Sequence, residues 1–84
     1  MTEQIARNPK QVGAAVRRRR RAQGMNQEDV GKKTHLRQAT ISDLEAGEAG
    51  TLLRTLFSVL TALNLELVIR PRTKASTDKI EEMF

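Results

Sequence analysis

The sequence has no cysteine, tryptophan or tyrosine, and only two phenylalanines, two prolines and one histidine in 84 residues. Without cysteine there is no disulfide framework and no thiolate metal site, so packing must hold the fold, with oligomerisation as the available reinforcement. Such a composition fits a reducing cytosol. No apolar run approaches the ~20 residues of a membrane-spanning helix, and the first residues lack the charged-then-apolar texture of an export signal. The expectation is a soluble cytoplasmic protein with no membrane among its partners. A single core is all such a chain can support, because a domain of roughly 60 residues buries only about 60% of its unfolded surface. Enzyme chemistry is excluded on similar grounds. One histidine without a companion ligand, no nucleophile and base pair and no phosphate loop leave nothing catalytic to assemble and no cofactor or metal to expect.

What is present is positive charge, unevenly placed. Lysine and arginine number 15 against 10 acidic residues, a formal charge of +5. Residues 1–47 hold ten of the basic and five of the acidic residues, and residues 48–84 hold five of each, so the whole excess lies in the first part. That asymmetry points to a polyanion, with nucleic acid as the leading candidate because Lys and Arg supply most phosphate contacts. A solvated basic face is the plainer alternative. The five arginines from Arg17 to Arg21 would point in every direction on a helix, so only two or three could face one ligand.

Local signals divide the chain into a flexible N-terminus (1–7), a folded unit (8–72) and a polar tail expected to be disordered (73–84). Asn8 and Pro9 read as the cap and first residue of a helix, which Gly24 stops. Asn26 can cap a second helix, with Glu28 and Asp29 in its first turn and an end near Lys33 or Thr34. A third spans Gln38–Ala46 before Gly47. Thr51 is the expected cap of a fourth, in which Leu53, Leu56, Phe57, Leu60 and Leu63 form a core-facing stripe.

Leu65 to Arg70 then reads as one strand, with Leu65, Leu67 and Ile69 on one side and Glu66, Val68 and Arg70 on the other. A lone strand leaves its backbone groups unpaired, and its resolution is pairing of Leu65, Leu67, Val68 and Ile69 with the same segment of a second copy in a homodimer. In the tail, Met83 and Phe84 are either a frayed terminus or an apolar anchor for a partner protein.

Residues 27–46 fit a helix-turn-helix, in which two short helices cross at about 90–120° and the second enters the major groove. Gly31 supplies the small residue at the crossing, and Val30, Leu36, Ile41 and Leu44 pin the pair to the core. Arg37, Gln38, Ala39, Thr40, Ser42 and Asp43 are left outside. Among them are side chains that read bases: Gln bonds adenine, Arg bonds guanine, and Ala or the Thr methyl touches thymine.

The segment MNQEDVGKKTHLRQATISDLEAG resembles the lambda-repressor-like (Xre-type) helix-turn-helix proteins, and its QATIS core, followed by a Leu/Phe-rich helix and the strand LELVIRPR, is especially similar to the HipB antitoxins. The resemblance covers roughly residues 8–72. It implies a mostly α fold, a four- or five-helix bundle plus one C-terminal β-strand pairing across a homodimer. It also implies that Gln27 approaches a phosphate at the start of the second helix, that Gln38 and Ala39 face base edges, and that Arg37, Thr40 and Ser42 meet bases or adjoining backbone. Arg20 and Glu45 match an ion pair between the first helix and the end of the recognition helix. Three positions depart from the pattern, the first being Gly31, where relatives usually carry alanine and small size is preserved. His35 stands where relatives carry a turn glycine, and Arg37 replaces the usual small polar cap.

Three functions follow. The resemblance implies a DNA-binding repressor and antitoxin that binds an inverted-repeat operator at its own promoter, in the nucleoid, and restrains a HipA-like serine/threonine kinase. A stand-alone phage-type or housekeeping repressor would share the DNA chemistry without a toxin. A protein-interaction adaptor would use the basic half against an acidic protein.

Overall fold

The computed structural model describes residues 3–73, so Met83, Phe84 and nearly all of the tail lie outside the described residues. Four helices follow one another: α1 (Pro9–Ala22), α2 (Gln27–Thr34), α3 (Gln38–Ala46) and α4 (Leu53–Ala62). The first two start where local chemistry directs. Asn8 Oδ1 accepts the Gln11 amide at 2.8 Å ahead of Pro9. At α2, Asn26 and Asp29 form a reciprocal capping box, with bonds of 2.7 and 2.8 Å, which satisfies two amides that a helix start otherwise leaves open. α2 ends on His35 in the left-handed region (φ 60°), and α3 ends on Gly47 (φ 82°). His35 thus takes the conformation that a turn glycine normally supplies, at a steric cost only partly relieved for histidine.

Gly31 allows the α2 to α3 turn to close, because a Cβ there would sit 2.8 Å from the Leu36 carbonyl oxygen. Val16, Val30, Ile41, Leu44, Val59, Leu60 and Leu63 form the core, with Val12, Met25, Leu36, Leu56 and Leu65 packed at its margin. Each helix contributes an apolar face to this one core, as the size of the chain requires.

α4 departs from expectation in its start and its buried face. Leu52, not Thr51, occupies the N-cap and makes no side-chain capping bond, while the Thr51 amide donates to the Glu48 carbonyl. The inward face is Leu56, Val59, Leu60 and Leu63, whereas Leu53 is 69% and Phe57 47% exposed. Both stripes have helical spacing and share Leu56, Leu60 and Leu63. Packing against α1 and α2 selects the one carrying Val59, and Leu53 and Phe57 fall on its outer edge.

The expected strand is likewise absent among the described residues. After a left-handed turn at Asn64 (φ 57°), residues 65–73 run without strand pairing. A strand is defined by its ladder, and one protomer offers this segment no paired neighbour. Residues 3–7 are not helical, and their Gln4 Oε1 accepts a bond from Arg18 Nε at 2.8 Å.

Candidate nucleic-acid interface

α3 is held from beneath and open above. Ile41 and Leu44 are buried, while Gln38, Ala39, Ser42 and Asp43 are exposed and Thr40 is half-buried. Arg37, also exposed, is the N-cap and makes no side-chain capping bond. The start of α3 therefore combines uncapped backbone donors, the positive end of the helix dipole and a guanidinium, all favouring an anion. A shallow depression of about 430 Å³ brings Gln38 together with Glu28, Gly31, Lys32, His35 and Leu36.

A second group fixes the other end of α3. Arg20 donates through Nε to Glu45 Oε2 at 2.6 Å and through Nη2 to Oε1 at 2.9 Å, while Nη1 donates to the Met25 carbonyl at 2.8 Å. Gln27 Nε2 donates to the same Glu45 Oε1 at 3.2 Å. The side chains of Arg20 and Glu45 are 9% and 4% exposed. Burial pushes the Glu45 carboxyl up, but bonds from Arg20 and Gln27, with the charges of Arg20 and Arg17, outweigh it and leave the group below the ordinary carboxylate range. The bond to Glu45, opposed by burial and aided by its charge, raises Arg20. α1 and the α3 end are thus tied by one bidentate pair of the strong, charge-assisted kind, and the bond from Gln27 adds the α2 start.

The structure brings Gln27, Arg20 and Glu45 together, so the Gln27 side chain is occupied within the protein rather than projecting beside Gln38. It separates the arginine run as well. Arg18 bonds Gln4, Arg19 Nε donates to the Leu63 carbonyl at 3.1 Å, and Arg17 and Arg21 lie exposed. Gln23 Nε2 donates to the same Leu63 carbonyl at 2.8 Å, fastening α1 to the end of α4.

Sequence reasoning missed Gly13. A Cβ there would strike the Leu44 carbonyl oxygen and lie 2.5 Å from that of Glu45. This close approach sets α1 against the last turn of α3, where Arg20 can reach Glu45. The signal was a glycine inside a helix, which costs about 1 kcal/mol against alanine and so calls for a packing reason.

The expected dimer residues lie elsewhere. Leu65 packs on the core margin, while Leu67, Val68 and Ile69 are 50%, 63% and 91% exposed. They border an open groove of about 1000 Å³ between the N-terminal segment, α1 and α4. No helix among the described residues is long and apolar enough to cross a membrane.

A helix-turn-helix family model matches residues 16–69. Antitoxin HipB of Escherichia coli (strain K12) is 32% identical over 82 residues, covering 98% of this chain and 93% of that protein. Among solved structures, a HipB-O4 20mer complex is 31% identical with a TM-score of 0.79, covering 84% of this chain and 100% of that one. A HipA-HipB-O2-O3 complex is also 31% identical, with a TM-score of 0.78 over the same shares. With its helix-turn-helix intact and its likeness running nearly end to end, the chain belongs to the HipB antitoxin family of helix-turn-helix proteins.

Proposed function

We propose that the protein is a sequence-specific DNA-binding repressor and antitoxin, a homodimer that binds an inverted-repeat operator at its own promoter and neutralises a HipA-like serine/threonine kinase in the cytoplasm. The observation that carries the DNA half is the exposed start of α3, where Gln38, Ala39 and Ser42 stand outward from a helix pinned by buried Ile41 and Leu44. Gln38 and Ala39 read base edges, Thr40 and Ser42 meet bases or backbone, and Arg37 meets phosphate. Gln27 contributes the start of α2 to the phosphate backbone and, through Glu45, braces the recognition helix. Residues 8–72 carry both DNA binding and dimerisation, the latter by pairing of residues 65–70 with the same segment of a second copy. That pairing would cover Leu67, Val68 and Ile69, the kind of exposed apolar patch that marks an interaction site.

The antitoxin half is supported by the likeness to Antitoxin HipB and to the HipB of a HipA-HipB-O2-O3 complex. Met83 and Phe84 remain the proposed apolar anchor for the kinase. Two measurements test the reading. Affinity for operator DNA falls steeply with salt, and Gln38→Ala costs roughly 1–3 kcal/mol of base preference while the fold stays intact. A flat salt response would point to a protein adaptor instead. Co-expression with a HipA-like kinase gives a stable complex without kinase activity, and a chain that binds DNA but not the kinase is a stand-alone repressor.

A further inference from the structure

The segment LELVIR carries a charge pattern that neither the helix-turn-helix nor the core uses. Leu65 lies against the core margin, so strand alternation places Leu67 and Ile69 on the same side and Glu66, Val68 and Arg70 on the other. In a two-fold antiparallel pair centred on Val68, Glu66 faces Arg70 of the partner subunit, and symmetry makes this contact twice. The inner face then sets Leu67 against Ile69 of the partner subunit. Pro71 strengthens the choice of centre. It has no amide to donate, so its pair with Leu65 of the partner subunit must be a non-hydrogen-bonded one. The alternation of the ladder then makes the Val68 pair, and both pairs of Glu66 with Arg70, hydrogen-bonded.

A centre at Leu67 would set Glu66 opposite the partner's Val68 and leave both charges without a counterpart. A centre at Ile69 would give Glu66 a counterpart in the partner's Arg72, but it would place Pro71 inside the ribbon and leave Arg70 opposite the partner's Val68, so only one of the two charges of the segment is matched. In the protomer Arg70 Nη1 already bonds Glu3 Oε1 at 2.9 Å, so its guanidinium is oriented at the edge of the groove where the second copy would lie.

We propose that Glu66 and Arg70 are the residues by which this chain recognises its own copy and sets the register of the dimer ribbon at Val68. The inference rests on the strand-paired dimer proposed above. It makes self-recognition a property of two charges in this chain, so an antitoxin lacking the complementary pair is a poorer partner.

Both residues are exposed, so charge variants of the full chain keep the protomer fold, checked by circular dichroism. Glu66→Arg sets two arginines opposite one another at each contact, and Arg70→Glu sets two glutamates, so each variant alone dimerises about tenfold or more weakly in sedimentation. Mixing the two variants restores a heterodimer to near wild-type affinity, as does combining both changes in one chain. A residue that merely shaped the strand would not be rescued by its opposite charge, and failure of the mixture to associate overturns the proposal. The natural chain has no cysteine, so single-cysteine variants report register directly. Val68→Cys cross-links on oxidation, because a hydrogen-bonded pair holds its Cα atoms about 5.5 Å apart, within disulfide reach. Preferential cross-linking of Leu67→Cys or Ile69→Cys overturns the register while leaving the dimer standing. A monomer by sedimentation with no cross-link at any of the three positions overturns the dimer itself.

Discussion

Residues 1–47 carry the whole excess of positive charge yet leave few large apolar side chains exposed, whereas residues 48–84 are neutral and expose Leu52, Leu53, Phe57, Leu67, Val68 and Ile69. In the first region the polar groups tie the helices to one another: Arg20 to Glu45 and Met25, Gln27 to Glu45, Arg19 and Gln23 to Leu63. The ion pair that the second region makes, from Arg70 back to Glu3 of the first, sits in solvent, with side chains 45% and 70% exposed. Charge in this protein is therefore of two kinds. Part of it is internal architecture, and part is left at the start of α3 and along α1 for a partner. The neutral region completes the core with one face of α4 and presents apolar surface on the other, which is what a half of a larger assembly shows.

The two ion pairs offer the strongest way to break this contrast. Arg20→Ala leaves Glu45 buried and short of two donors, and costs about 3–5 kcal/mol, enough to unfold a marginal domain of this size. Arg70→Ala costs the protomer about 0.5 kcal/mol or less, since an exposed pair is screened and entropically offset. Denaturant melts of both variants check this; equal losses would erase the distinction between the regions.

The same pair has a pH signature of definite sign. Glu45 titrates below its ordinary value in the folded protein, so its contribution is fully present above the unfolded carboxylate range and is lost as pH falls through the folded value. Arg20 is raised, so its contribution is present throughout the neutral range and lost only in strong alkali. Thermal midpoints between neutral pH and about pH 3 should therefore fall more steeply in the natural protein than in Glu45→Gln, which has nothing to protonate there. Parallel curves would mean that other carboxylates carry the acid response.

Gly13→Ala probes the backbone approach that makes the pair reachable. The added methyl meets carbonyl oxygens of α3, not the end of a flexible side chain, so α1 must shift, at about 1–3 kcal/mol. The intrinsic gain of alanine in a helix, about 1 kcal/mol, offsets only part of this. At Gly24, where nothing lies within 4 Å, substitution acts through its positive φ alone. A stable Gly13→Ala variant with the Arg20 to Glu45 bonds intact would show that the crossing is looser than drawn.

These positions also mark how far the sequence could be read. α1, α2 and α3 were legible because their ends are written in adjacent residues: Asn8 with Pro9, Asn26 with Asp29, Gly47 at its positive φ. The outward set on α3 was legible too, because Ile41 and Leu44 mark the opposite face. α4 was harder, as two overlapping stripes have the same period and only the shape of the α1 and α2 surface decides between Val59 and the pair Leu53 and Phe57. Gly13 and the bond from Gln27 to Glu45 escaped because their partners are distant in sequence and no local pattern encodes them. The strand expected at residues 65–70 finds no pairing within one protomer, because a ladder there would need a second copy.

Small effects of the opposite sign come from the two helix starts that lack a capping side chain, one in each region. Leu52 and Arg37 both sit in extended backbone, with ψ of 147° and 148°, before α4 and α3, the conformation a capping residue adopts. Aspartate at either position supplies an acceptor for the first turn and a charge favoured by the dipole, a gain of about 0.5–1 kcal/mol in thermal unfolding. The two variants should agree in stability and part company on DNA. Leu52→Asp leaves the salt dependence of operator binding unchanged. Arg37→Asp replaces a cation with an anion beside the phosphates, so affinity drops across all sequences and the salt slope shrinks by about one charge. If Arg37→Asp stabilises the fold and binds DNA as before, Arg37 is an uncapped helix start and nothing more, and the phosphate contact must pass to Arg17, Arg21 or Lys32.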